Sequence, residues 1–499
     1  MSQKHAPSGQ RNFAPQAGQY KQRKPEQTVL YQAVAQNLRT FEALVESNGK
    51  CLPDYVSKEF EAFLRCGVLA HGFLRLRCEG CKYQTLLAFS CKKRGFCSSC
   101  GGRRMAESAA HLIDEVLPKV GVRQWVLSFP MPIRFILAKN SKIQGSCLTL
   151  VHRAITGYIR KKAKQKGIES KLQPGAVTLI QRAGGALNLN VHYHMLFLDG
   201  GFYESSQDKS LDQKPKYAWV EPPTDQEIKD LVETLAKRVI RFLKKKGYFQ
   251  DDVTESAPEE DQRQEELLPE LQAASVQSRI ALGERRGQKV RRLGQLKASD
   301  FQSELKGPLC AQVLGFSLHA GVYCAPQERK KLEKLCRYVT RPAVAEERLK
   351  LQPNGDIVLR LKTKYSDGTS HLLFSGLEFI EKLAALVAPP RIHLTRFFGC
   401  LAPNSKIRSQ IVPEKPQQVQ AVVTLTSPTD PESVTPKRSR RTGWVELLAR
   451  VFAIDMQNCP NCPGQLKVVA AIVESSAVKR IRAAGIFSKL SKLSRKSNF

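Results

Sequence analysis

His192 and His194 stand two residues apart in the apolar run Asn190-Val191-His192-Tyr193-His194-Met195-Leu196-Phe197-Leu198-Asp199. Strand side chains alternate between faces, so the two imidazoles share one face while Val191 and Tyr193 share the other. Two imidazoles fixed by one strand can grip a divalent ion and leave coordination positions open for a substrate oxygen. A half-buried strand with two polar residues has the same pattern, and short motifs also recur by chance.

Cysteines supply a second chemistry. In Cys78-x2-Cys81-x15-Cys97-x2-Cys100 each pair suits a tight knuckle, and the intervening loop lets the pairs meet around tetrahedral zinc. Four thiolates fill the coordination sphere, so the expected role is structural, with Cys91 a competitor for one position. Lys92, Lys93, Arg94, Arg103 and Arg104 beside the knuckles suit phosphate contacts or solvated surface equally. Cys459-Pro460-Asn461-Cys462 is a lone knuckle. Cys400, Cys336 or another chain could complete it, but half a site cannot close tetrahedral zinc, so the expectation is no stable ion there.

A third chemistry lies in Lys334-Leu335-Cys336-Arg337-Tyr338-Val339-Thr340-Arg341-Pro342. It puts a tyrosine near the end of a basic helix, with Leu332, Leu335 and Val339 facing the core and Lys334 one turn before Tyr338. A hydroxyl here can attack a phosphodiester without water as nucleophile. Gly-x4-Gly-Lys-Ser/Thr does not occur, so nothing reads as an ATP-driven motor.

The elements that must position these groups follow from periodicity. Two amphipathic helices are expected between Val29 and Val68, and another over about 103–117. A strand over Gln124–Phe129, a helix near 146–163 and a hairpin of strands at 177–181 and 189–198 come next. Further on are a helix near 327–339, strands in 356–374 and a helix near 376–387. The fold class is α+β, a mainly antiparallel sheet flanked by helices, preceded by a helical and zinc-ribbon-like N-terminal domain.

Composition divides the chain into a basic, disorder-prone arm (1–26), a helical and zinc-binding domain (27–118) and the first part of the core (119–203). A charged insertion (204–310), partly helical and partly disordered, separates that part from its completion (311–411). A linker (412–443) and a small C-terminal module with a basic tail (444–499) follow. Lys plus Arg total 79 against 46 Asp plus Glu, a net charge of +33 over 499 residues, which fits a nucleic-acid partner. No apolar run of about 20 residues and no signal-peptide core occur, so a cytoplasmic, nucleoid-associated protein is expected, with 14 cysteines serving as metal ligands and buried thiols.

Together, His192-Tyr193-His194, the Cys78 to Cys100 knuckles, Arg337 to Pro342 and Pro390-Arg391-Ile392-His393-Leu394 resemble the rolling-circle insertion-sequence transposases with an HUH endonuclease core, especially the insertion-sequence common region type. The resemblance covers about 30–410 and the tail from Trp444. It implies an antiparallel HUH nuclease core and Tyr338 as nucleophile, attacking single-stranded DNA to leave a 5′-phosphotyrosine and a free 3′-hydroxyl. It also implies catalytic Mg²⁺ or Mn²⁺ on His192 and His194, with structural Zn²⁺ on the cysteines. Lys334, Arg337, Arg341, Arg391 and Arg396 become phosphate contacts. Host helicase or replication proteins are further candidate partners, and self-association is compatible with the sequence.

Some relatives carry two tyrosines four residues apart; Lys334 fills the earlier position here, which leaves Tyr338 a single nucleophile. Gln181 ends the strand before the histidines, where its amide oxygen can complete a His/His/Gln set or bond within the hairpin. Asp199 falls on the opposite face of a regular strand, and His393 sits in a basic segment as a structural residue. Two other classes remain: a zinc-dependent DNA-binding regulator without chemistry, and a metal-dependent nuclease or carboxylate-type transposase that uses water.

Overall fold

The computed structural model describes residues 18–19, 23–168, 171–204, 214–248, 267–294, 307–413, 454–455, 457–474, 476–478 and 480. Almost all of the basic arm, the acidic stretch 255–266, nearly all of the 412–443 linker and the basic tail lie outside these residues. The chain divides into two compact units, each discontinuous in sequence: residues 1–25, 65–91 and 431–499, and residues 26–64 and 92–430. The architecture is α+β on antiparallel sheets, as expected.

The larger unit is built on a six-stranded sheet. Its order across the sheet is Cys310–Val313, Phe316–Cys324, Val122–Ser128, Leu189–Leu198, Gly175–Ala183 and Thr395–Gly399. Every neighbouring pair is antiparallel. The histidine strand Leu189–Leu198 is therefore central, which buries both its faces and explains its near-continuous apolar sequence.

Alternation then sorts the side chains. On one face Tyr193 is fully buried, its hydroxyl donating to the Gln144 carbonyl at 3.1 Å, while Phe197 stacks beside His152. Gln144 and His152 belong to the long helix Ser141–Gln165, which Asn140 caps by accepting from the Lys142 and Ile143 amides. On the other face Leu196 and Leu198 join Val122, Val177 and Leu179 in a core with Leu332, Leu335, Cys336 and Val339 of the helix Arg329–Thr340. That helix thus covers the face carrying the histidines.

His152 carries a pH dependence of its own. Burial pushes its imidazole down to about 3, and Nε2 lies 2.6 Å from the Thr178 hydroxyl. The unfolded chain takes up a proton near pH 6.5 that the folded chain refuses, so stability falls as pH drops from about 6.5 toward 3, by up to about 1.4 kcal/mol per pH unit. We expect His152→Gln to flatten the pH dependence of the urea midpoint in that window by about one proton. An unchanged slope would mean His152 is not held neutral by the fold.

Segment 204–310, expected as an insertion, supplies parts of the same unit. Thr224 and Glu227 form a reciprocal capping box that starts the helix Asp225–Lys245. Ile228, Leu231, Val232, Leu235 and Val239 on that helix are buried as it packs along Ser141–Gln165 and Cys310–Val313. Arg291–Gly294 completes a second antiparallel sheet with Thr369–Phe374, Ile357–Arg360 and Leu349–Leu351. The charged composition of Asp225–Lys245 is that of an amphipathic surface helix.

In the smaller unit Leu466–Ile472 pairs antiparallel with Phe73–Cys78, which pairs with Gln84–Ala88. Phe73, Leu86 and Val478 form its buried core, with Leu69 and Ile472 packed against them. Among the described residues no helix is long and apolar enough to cross a membrane.

Candidate active site and metal centre

Strand register decides which side chains surround the histidines. Val126 lies directly opposite His194 on one side, and on the other Leu179 faces His194 while Gln181 faces His192. Gln181 and His192 are thus a cross-strand pair on one face. The rings of His192 and His194 have centroids 5.0 Å apart.

Each Nδ1 already has a partner. His192 Nδ1 lies 2.7 Å from the Asn190 carbonyl, which fixes the proton there and leaves Nε2 with a lone pair. His194 Nδ1 lies 2.7 Å from Gln124 Nε2, an N–H donor, so Nδ1 accepts and the ring proton sits on Nε2; turning the Gln124 amide over places its oxygen on Nδ1 and frees Nε2. Burial, assisted by His192 and Arg341, pushes His194 down to about 3, and burial also lowers His192, opposed by the Asn190 carbonyl and assisted by Arg134 and Arg341. Both imidazoles are therefore neutral in the neutral pH range, the form that ligates a metal.

Tyr338 comes to the same place from the last turn of Arg329–Thr340. Its ring centroid is 6.2 Å from that of His194, and it is 48% exposed, so the hydroxyl remains open to a polymer substrate. The Arg341 guanidinium sits 4.2 Å from the Tyr338 ring centroid. Three contacts set the helix. At its start Arg329 donates to the carbonyls of Ile113, Leu117 and Pro118. At its end Gln181 Nε2 donates to the Val339 carbonyl at 2.6 Å. Just beyond, Pro342 crosses Gly101 so closely that a Cβ on Gly101 would lie 2.5 Å from the proline Cβ.

Gln181 therefore bonds the tyrosine helix, a partner 158 residues away that neither sequence alternative included, and its oxygen is the amide end left to face an ion. Asp199 is no ligand. Its buried carboxylate forms a two-point pair with Arg123 at 2.9 and 2.8 Å, and Arg123 also donates to the Ala320 carbonyl. Lys334 is exposed and Arg337 half-buried on the tyrosine helix; Arg391, His393 and Arg396 are exposed.

Sequence reasoning missed Gln124, whose signal is a large polar side chain in an apolar strand, on the face it shares with Val126 and Ser128, the cross-strand partners of the histidines. It also missed Arg348 and Lys362. Burial and the charges of Arg341 and Arg348 push the Lys362 ammonium down to about 8, which marks a concentration of positive charge beside the tyrosine.

The cysteines depart from expectation. The thiols that face Cys78 and Cys81 are Cys459 and Cys462 of the tail, all four sulfurs lying within 4.8 Å of one another. The spacing-based assignment of Cys97 and Cys100 to that site is corrected accordingly, as is the expectation that the tail knuckle stands alone. The reason is the pairing of Leu466–Ile472 with Phe73–Cys78, which sets Leu466 opposite Cys78 and delivers the tail knuckle to the first. Cys97 stands at the N-terminus of the helix Ser98–His111, with Cys100 in its first turn; both are buried. The Cys91 amide donates to Cys66 Sγ at 3.3 Å.

Neither the curated proteins nor the solved structures contain a match to the chain. Two family models match it. Residues 36–129 match the one described as "Transposase zinc-binding domain", of IS91 type, and residues 175–408 match the one described as "Putative transposase". The second match contains His192, His194, Gln181 and Tyr338, and the first contains the cysteines from Cys51 to Cys100. Over these two segments the chain is similar to a transposase zinc-binding domain and to a putative transposase.

Proposed function

We propose that the protein nicks and rejoins single-stranded DNA at the ends of a mobile element, in rolling-circle transposition, through a 5′-phosphotyrosine on Tyr338. The observation that carries this reading is the meeting of an accessible tyrosine with a neutral histidine pair across the sheet and helix. The donor set suits a catalytic Mg²⁺ or Mn²⁺ with the Gln124 amide turned so that its oxygen accepts from His194 Nδ1: two imidazoles and one amide oxygen, from His192, His194 and Gln181. Bound there, such an ion supplies polarisation of a non-bridging phosphate oxygen.

The chain's own residues do the rest. Gln124 and the Asn190 carbonyl hold the two rings in place. The Gln181 bond to the Val339 carbonyl fixes the end of the tyrosine helix relative to the histidine strand. Tyr338 Oη attacks phosphorus as the bond to the 3′-oxygen breaks; the phenol gives up its proton and the departing oxygen gains one. Arg341, Arg348 and Lys362 place positive charge where the DNA phosphates must lie. The phosphotyrosine conserves the bond energy, so rejoining needs no nucleotide. Single-stranded substrate would come from host helicase or replication proteins.

The test uses single-stranded DNA carrying the element end, incubated with protein and Mg²⁺ or Mn²⁺. A protein–DNA adduct that survives denaturation, joined through the 5′ phosphate, is expected. Cleaved DNA with free 5′ phosphates and no adduct would instead establish a nuclease that uses water. Binding without cleavage would establish a regulator.

A further inference from the structure

We infer that Cys78, Cys81, Cys459 and Cys462 form one structural zinc site, assembled from two chain segments far apart in sequence, that fastens the tail onto the zinc-ribbon strands. The tail half lies outside the residues matched to the zinc-binding family, so this site goes beyond that domain.

The geometry is that of an interleaved knuckle pair. Cys78 and Cys462 sulfurs are 3.5 Å apart, Cys81 and Cys459 sulfurs 3.4 Å, the first two being 384 positions apart in sequence. A tetrahedron with Zn–S of about 2.3 Å has sulfur–sulfur edges of about 3.8 Å, whereas a disulfide needs about 2.05 Å. The spacing fits four thiolates around one ion and excludes bonded pairs.

Both knuckles are shaped for it. The Asn461 amide points at Cys459 Sγ and the Gly464 amide at Cys462 Sγ, each at 3.4 Å, contacts that stabilise thiolate charge. A Cβ on Gly464 would lie 2.9 Å from Cys78 Sγ, so only glycine lets the tail knuckle close. Cys78 is fully buried and Cys459 nearly so.

The unit also needs a fastener. Among the described residues its buried apolar cluster is small, Phe73, Leu86 and Val478 with Leu69 and Ile472 packed against them, and cores of that size are commonly supplemented by a metal or cross-link. On the edge strand Val468 and Val469 are more than half exposed, so apolar burial contributes little to docking the tail. Zinc would also close a chain loop of several hundred residues, whose closure entropy grows only slowly with length.

The experiment uses the full chain. Zinc per chain is measured for wild type, for Cys459→Ser/Cys462→Ser, for Cys78→Ser/Cys81→Ser and for the quadruple variant. One shared site predicts that each variant has one zinc fewer than wild type. No loss in Cys459→Ser/Cys462→Ser, or a loss of two in the quadruple variant, would overturn the proposal. Because a variant can misfold, wild-type protein is also alkylated with iodoacetamide with and without a zinc chelator, and labelling is mapped by mass spectrometry. Cys78, Cys81, Cys459 and Cys462 should be protected together and become reactive together. Labelling of Cys459 and Cys462 at a rate indifferent to the chelator would equally refute the site.

Discussion

Tyr338→Phe is expected to abolish the covalent adduct, lowering cleavage and joining by at least about 10³-fold, the scale on which a removed nucleophile acts. At 25 °C that corresponds to roughly 4 kcal/mol of barrier or more. The substitution is a clean one. It keeps the ring that Arg341 covers and the packing against His194, and removes only the hydroxyl. Because the side chain is half exposed, the folded state should lose no more than about 0.5 kcal/mol, so an unchanged melting temperature should accompany lost chemistry. Adduct formation is read by a mobility shift under denaturing conditions with labelled single-stranded DNA. If Tyr338→Phe still gave the adduct, another residue would be the nucleophile; Tyr323, stacked near Arg123, and Tyr365, near Arg292, are the alternatives to map. Retained cleavage without an adduct would point to water.

Removing the histidine pair should have an effect of comparable size for a different reason. His192→Ala/His194→Ala takes away two of three proposed ligands, and the polarisation lost is worth several kcal/mol, or about three orders of magnitude in rate. Mn²⁺ binding, followed by calorimetry or by the electron-spin signal of the free ion, should vanish with the activity. Substrate binding should persist, since Arg341, Arg348 and Lys362 remain. Cleavage that survived with Mg²⁺ at the wild-type rate would remove the metal proposal. A pH series adds an independent check. His194 is held down to about 3 and His192 is lowered by burial, so wild-type Mn²⁺ affinity should stay nearly level from pH 8 to pH 6. An ordinary exposed histidine pair would weaken over that range as it took up protons near pH 6.5.

The bidentate Arg123–Asp199 pair shows how the scaffold serves this arrangement. It lies just past the end of the histidine strand and ties three strands together through the Ala320 carbonyl. A buried carboxylate so placed is spent on structure, which is why a third acidic ligand does not arise from the strand itself.

Much of this was legible in the residues alone. Alternation in Asn190–Asp199 put His192 and His194 on one face, and helical spacing of Leu332, Leu335 and Val339 turned Tyr338 outward. These are local properties: within a few residues, periodicity and the burial of apolar side chains leave one arrangement. The antiparallel α+β class followed from the same signals.

What spans greater distance was decided by the tertiary structure. Gln124 reaches His194 only through strand register, and Gln181 serves the tyrosine helix only because that helix packs over the sheet. Arg348 and Lys362 join Arg341 because a second sheet brings them there. Fourteen cysteines can be divided into fours in many ways, and the tidy spacing from Cys78 to Cys100 was one of them. Residue spacing determined that each Cys-x2-Cys is a knuckle. Which knuckles meet was settled by the pairing of Leu466–Ile472 with Phe73–Cys78, since backbone hydrogen bonds between strands do not depend on how many residues separate them.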